Sequence, residues 1–263
     1  MVASNPISAP SAAALEKARV YSATHDGRSL LILYDSAVVL EDYPEAGADI
    51  AHMLHSGTKS FIGVMAAAAV QDRLLTLDER VRDTLNEWRG VPFKDDATIR
   101  QLLNLTVGLP SQIGVVPTYA EAVGMPFNAA PGERFQYGPA PFQVFGELLR
   151  RKLGEAGRPA DPLAYLGDRI LDPIGLHYTD WVHGPDGLPR LPAGASVTAR
   201  EWARFGEFVR AGGVVEGARL VDEQAFAAMF QGSRVNPAYG LTWWLPRPTA
   251  ARDAVTRLND ASR

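Results

Sequence analysis

Ser56-Gly57-Thr58-Lys59 is the stretch of this chain best suited to covalent chemistry. It is an S-x-x-K at the mouth of an apolar run, Phe61-Ile62-Gly63-Val64-Met65-Ala66-Ala67-Ala68-Ala69-Val70. On a helix, residues three apart share a face, one turn up. Ser56 in a first turn would therefore carry its hydroxyl beside the Lys59 amine. A lysine that is buried or flanked by cations loses its proton readily and can take one from serine. First-turn backbone N–H groups have no intrahelical partner and face an oxyanion. Nucleophile, base and part of an oxyanion hole are thus available from four residues. An S-x-x-K alone arises by chance about once in a chain of this size, and its plain alternative is a serine N-cap with a solvated lysine. The surrounding chain has to decide between them.

The elements that must position the pair can be read from pattern. Residues 11–24 read as a helix with Leu15, Ala18 and Val20 turned partly inward. Ser29–Tyr34 and Ala37–Glu41 read as a β-hairpin around Asp35-Ser36. The Ser56 helix should end near Asp72-Arg73. Thr98–Leu105 reads as a helix stopped by Gly108 and Pro110. Residues 111–136, rich in Gly and Pro, read as an irregular excursion, and Pro141–Leu153 as an amphipathic helix burying Phe142, Phe145, Leu148 and Leu149. Residues 154–196 read mostly as loop with short helices. Ala199–Val209 and Asp222–Phe230 are helical, with a Gly212-Gly213 turn between them. Tyr239–Leu245 reads as a strand, on which Trp243 and Trp244 would point to opposite faces, one of them core.

Composition narrows the functional classes. The chain has 263 residues, 46% hydrophobic and 21% charged, which is a globular balance with enough length for a real core. Its net charge of −4 and lack of a basic stripe argue against a nucleic-acid partner. With no cysteine, a thiol nucleophile, a disulfide or a Cys-based metal site is ruled out. His52 and His55 lack the surrounding carboxylates and histidines of a metal site, so no metal or cofactor is expected. Met1–Pro10 has neither the basic nor the apolar region of a signal peptide, and the run Phe61–Val70 is too short to span a bilayer. The expectation is a soluble protein, cytoplasmic or, if a leader has been removed, periplasmic or secreted.

Beyond the S-x-x-K, a series of ordered landmarks resembles the serine β-lactamase and penicillin-binding-protein superfamily, in particular its class C-like branch, which also holds esterases and amide hydrolases. Leu74-Leu75-Thr76-Leu77-Asp78-Glu79 resembles the G-x-L-x-L-D-D that follows the nucleophile helix. Thr98–Leu103 with Thr106–Pro110 resembles T-I-R-x-L-L-x-H-T-S-G-L-P, and Pro131–Tyr137 resembles P-G-x-x-F-x-Y-S-N. Leu171–Leu176, Gly194–Ala199 and Tyr239–Trp243 match later landmarks of the same family in order. The resemblance implies an α+β, transpeptidase-like fold. An antiparallel sheet lobe flanked by helices (residues 1–55 and 195–263) would sit beside a mostly helical lobe (56–194), with the site at their junction. It also implies catalytic roles for Ser56, Lys59 and Tyr137, the phenol serving as second proton handler beside the lysine ammonium.

Three positions depart from the family pattern. Y-x-N stands here as Tyr137-Gly138-Pro139, without the amide side chain. The histidine of L-x-H-T-S-G is Asn104. No K-T-G or H-x-G follows Tyr239–Trp243, and His183–Gly187 precedes it and reads as a turn. The chain therefore reads as C-terminally truncated, with an incomplete sheet, an exposed edge open to self-association and a half-built oxyanion hole. The expected activity is a serine hydrolase acting on a small ester, amide or lactam through an acyl-serine. The competing expectation is an inactive or truncated homologue that binds a ligand or partner.

Overall fold

In a computed structural model, residues 8–44 and 47–247 of the chain are described. Helix α1 (Ala12–Thr24) is capped by the Ser11 side chain and buries no residue fully. Leu15 and Ala18 are half-buried on it, whereas Val20, expected to turn inward, is 47% exposed. Strands β1 (Leu30–Tyr34) and β2 (Ala37–Asp42) form the expected hairpin. Its turn residues Asp35 and Ser36 both take positive φ, 49° and 64°, which matches the twist that two-residue hairpins require.

The centre of the molecule is α2 (Lys59–Gln71), preceded by a 3₁₀ turn at His55–Thr58. Eleven of its 13 residues are buried, which follows from a sequence apolar on every face. The helix ends at Asp72 and Arg73, where Arg73 takes φ 59°. Short α3 (Ile99–Leu103) opens with a capping box between Thr98 and Gln101. It stops at Asn104 and a left-handed Leu105, earlier than the Gly108 and Pro110 that the sequence suggests. Within the 111–136 excursion lies α4 (Tyr119–Gly124), with its own capping box at Thr118 and Glu121. Helix α5 (Ala140–Glu155) starts at Pro139, with Pro141 in its first turn, and buries Phe142, Phe145, Leu148 and Leu149 completely.

Helix α6 (Pro162–Leu166) runs on as a π-turn through Leu171. Strands β3 (His52–Met53), β4 (Asp180–Trp181) and β5 (Ala195–Val197) make an antiparallel sheet in the order β3-β5-β4. Helix α7 (Ala199–Arg210) follows, then the small hairpin β6 (Val214–Val215) and β7 (Ala218–Arg219), then α8 (Glu223–Ala228). Gly212 and Gly213 turn the chain with φ 70° and 78°. The architecture is α+β with antiparallel sheets, as expected, built among the described residues as three small sheets. Phe61 on α2 meets Trp202 and Phe205 of α7 at ring separations of 5.6 and 4.6 Å.

Tyr239–Leu245 is not a strand. Thr242 takes φ 71°, and the chain folds back so that Tyr239 bridges Trp244 and the Gly240 N–H donates to the Trp243 carbonyl at 2.9 Å. The left-handed residue reverses what alternation alone would extend. This tight turn lies on α2 because Gly63 is bare: a Cβ there would meet Thr242 Oγ1 at 2.6 Å. The parts of the expected sheet lobe at residues 1–7 and 248–263 lie outside the described residues.

Candidate active site

The site begins where β3 ends. Its register against β5, His52 opposite Val197 and Met53 opposite Ser196, is extended by a hydrogen bond from Leu54 N–H to the Ala195 carbonyl at 2.9 Å. His55 then takes φ 47° and turns the chain straight into the 3₁₀ turn. Ser56 therefore lies in a 3₁₀ turn leading into α2, one turn earlier than the helix proper. This geometry favours the pair, because side chains at i and i+3 eclipse in a 3₁₀ helix. The Lys59 ammonium donates to Ser56 Oγ at 2.9 Å and to the Pro192 carbonyl at 3.1 Å. Thr58 ties the turn to β5, its Oγ1 accepting from Ala195 N–H at 3.3 Å.

Lys59 is only 4% exposed, and that burial lowers its pKa from the ordinary 10.5 to about 8. No carboxylate offsets the cost, because its partners are a hydroxyl and a carbonyl. Its amine lies 5.1 Å from the Tyr137 ring centre and 5.7 Å from that of Phe142. Ser56 itself is open to the cleft. Its backbone N–H donates to no acceptor among the described residues, which leaves it available to an oxyanion.

Tyr137 comes to the same place from the other side of the cleft. Burial pushes its phenol up, and hydrogen-bonding reach to Ser56 and to the Trp244 indole pulls the other way. The first effect wins, so Tyr137 holds its proton at neutral pH. Sequence reasoning has the phenolate stabilised by the lysine. Burial instead keeps the phenol protonated and brings the amine down to a pKa of about 8. All three expected residues line one cleft of about 270 Å³, walled by Ile113, Val116 and Pro139. A larger groove of about 780 Å³ lies between the β-hairpin and α7, and none of the three lines it.

The departures from the family pattern have structural outcomes. Pro139 is the N-cap of α5 and presents no amide to the cleft. Asn104 is buried, and its Oδ1 accepts from Thr106 N–H and Oγ1 at 3.2 and 2.6 Å, fixing the chain after α3. His183–Gly187 is a turn in which Gly184 N–H donates to the Leu188 carbonyl at 2.8 Å. Among the described residues no three His, Asp or Glu side chains converge as metal ligands. Sequence reasoning did not find Pro192, the acceptor for Lys59, or the apolar wall at 113–116. Neither carries a local signal, since both are loop positions set by tertiary packing.

The S-x-x-K pair at the mouth of a buried helix, in an architecture of helices and small antiparallel sheets, defines a transpeptidase-like α+β protein. The profile of the beta-lactamase family matches residues 12–256, and the chain belongs to that family, within the serine β-lactamase and penicillin-binding-protein superfamily. Three solved structures show the same fold. A candidate beta-lactamase from Bacteroides dorei is 20% identical, with 87% of this chain and 77% of that one covered and a TM-score of 0.69. A candidate 6-aminohexanoate-dimer hydrolase from Bacillus anthracis is 17% identical, with coverage of 87% and 68% and a TM-score of 0.70. An octameric penicillin-binding protein homologue from Pyrococcus abyssi is 17% identical, with coverage of 87% and 63% and a TM-score of 0.64. At such identities the likeness is one of fold.

Proposed function

We propose that this chain is a serine hydrolase that cleaves small esters, or amides other than cell-wall peptide, through an acyl-Ser56 intermediate. The observation that carries this reading is the 2.9 Å contact between Ser56 Oγ and an amine buried enough to be deprotonated near pH 8. Neutral Lys59 takes the Ser56 proton as Oγ attacks the substrate carbonyl. The Ser56 N–H stabilises the oxyanion, and such a donor is worth about 3 kcal/mol in the transition state. Tyr137 protonates the leaving group as the tetrahedral species collapses to the acyl-serine. Water then adds to the acyl carbon, giving up its proton to the Tyr137 phenolate, and Lys59 returns its proton to Ser56 as the acid is released.

The size and lining of the cleft support the substrate class. A space of about 270 Å³ lies below the range of most ligand pockets, and Ile113, Val116, Pro139 and Ala193 give it an apolar wall opposite Lys59 and His55. A short acyl group suits it. A serine-directed fluorophosphonate, read by mass spectrometry, should modify Ser56 and no other serine, and Ser56→Ala should abolish the labelling. Stable modification of a different serine overturns the assignment. Pro139, standing where the family has an amide, favours a second reading: an inactive homologue that retains only ligand binding. Ester binding without any labelling of Ser56 would select it.

A further inference from the structure

The lysine amine is held from outside its own helix. Its second acceptor, the Pro192 carbonyl at 3.1 Å, belongs to a turn at 190–193 closed by a hydrogen bond from Ala193 N–H to the Arg190 carbonyl at 3.2 Å. That turn is tied down from α5. Gln143 is 2% exposed, and its side chain reaches two loops at once. Its Oε1 accepts from Leu191 N–H at 3.2 Å, and its Nε2 donates to the Pro117 carbonyl at 2.8 Å. Leu191 N–H is shared with the Pro189 carbonyl at 3.0 Å. Gln143 thus bonds one loop beside Val116, which walls the cleft, and the other beside the carbonyl that holds Lys59.

The anchor lies one residue before that carbonyl, and the link between them is stiff. A proline ring fixes its own φ near −65° and restricts the residue before it. The Leu191 side chain is fully buried, and the bond from Ala193 to Arg190 limits the remaining rotation. Fixing Leu191 N–H therefore fixes where the Pro192 carbonyl points. A neutral amine has two N–H groups and one lone pair, and that lone pair must meet the Ser56 hydroxyl at the moment of attack. A carbonyl oxygen attracts an N–H and repels the lone pair, which leaves the lone pair free to face Ser56. It also holds a flexible four-carbon stem at reacting distance.

We propose that Gln143 is the positioning residue for the base: it fixes the 191–192 segment, whose carbonyl holds the Lys59 amine and turns its lone pair to Ser56 Oγ. This role rests on the acyl-Ser56 reading above. A buried glutamine that served only the packing of α5 would affect stability and show no coupling to Pro192.

The test is a double-mutant cycle on the labelling of Ser56 by the fluorophosphonate at about pH 9.5, where the neutral amine predominates. Gln143→Met keeps the length of the side chain and removes both hydrogen bonds. Pro192→Gly keeps the carbonyl and Gln143 but frees the link between them. Each should lose about tenfold in the maximal labelling rate, with the half-saturating phosphonate concentration within about threefold, as a displaced base implies. The double variant should be no slower than the slower single, because both changes break one connection. Gln143→Asn, one methylene too short to bridge both loops, takes the place of the Met variant in the cycle if thermal denaturation shows that variant unfolded. Losses that multiply, a Pro192→Gly variant as fast as the unsubstituted protein, or an effect confined to half-saturation overturns the inference. Failure of the underlying reading shows separately, as absence of labelling at Ser56 in the unsubstituted protein.

Discussion

Replacing Lys59 by methionine should make the protein more stable at neutral pH while removing its chemistry. The amine is 4% exposed and its pKa is lowered from 10.5 to about 8 by burial. A group more acidic folded than unfolded penalises the folded state in its protonated form. That penalty is full below about pH 8 and fades as pH rises to 10.5. Its full size is about 3 kcal/mol. Methionine fills the space of the lysine stem without the charge. Loss of the donor to the Pro192 carbonyl gives back about 1 kcal/mol. The net gain is about 2 kcal/mol at pH 7, or about 4–8 °C in melting temperature for a chain of this size. Calorimetry of both proteins at pH 7 and at pH 10 reads the difference, which should shrink toward zero or change sign at the higher pH. A variant destabilised equally at both pH values would show that Lys59 carries no burial penalty and is not a primed base. Labelling of Ser56 by the phosphonate should be lost in the variant at either pH.

Other outcomes follow from the same contacts. In the unsubstituted protein the rate of Ser56 acylation should rise nearly tenfold from pH 7 to pH 9, as neutral Lys59 grows from about a tenth to about nine-tenths of the population, and then level off; a flat labelling profile over that range would remove Lys59 from the base role. Lys59→Ala and Tyr137→Phe should each lose most turnover of an alkyl ester, and the double variant should be little worse than either, because parts of one relay are not additive; losses that multiply would separate the two residues. Gly63→Ala should cost about 1–2 kcal/mol of stability in chemical denaturation, since its methyl meets Thr242 Oγ1 at 2.6 Å. Thr98→Ala should cost about 1 kcal/mol in chemical denaturation without touching the cleft, because only the capping box of α3 is lost.

What the sequence makes legible here is whatever depends on spacing or punctuation. Ser56 and Lys59 could be paired from spacing because an interval of three brings side chains to one face in an α turn and eclipses them in a 3₁₀ turn. The bounds of α2, α5 and α7 were readable from apolar period and capping, and the hairpin from residues tolerant of positive φ at Asp35 and Ser36. Tyr239–Leu245 misleads because its reversal falls on Thr242, a β-branched residue that gives no sign of a left-handed turn. The end of α3 misleads for the same reason, at Leu105. The protonation order of Lys59 and Tyr137 was not legible at all, since it depends on how deeply each is buried. Val20 shows the converse: helical period alone does not say whether a neighbouring surface exists to cover a face.

The chemistry and the shape of the cleft are built from unlike material, and this has a consequence for how such a protein changes over generations. Lys59 belongs to a helix with eleven of 13 residues buried, where a volume change of even one methylene disturbs close packing. The walls at Ile113, Val116 and Ala193 belong to connecting segments, which accept substitution and altered length far more readily. Mutational supply is therefore divided. On the acyl-Ser56 reading, most viable changes at these walls alter which acyl group fits, and few touch the buried amine. A lineage carrying this arrangement can spread across substrates while its reaction stays fixed.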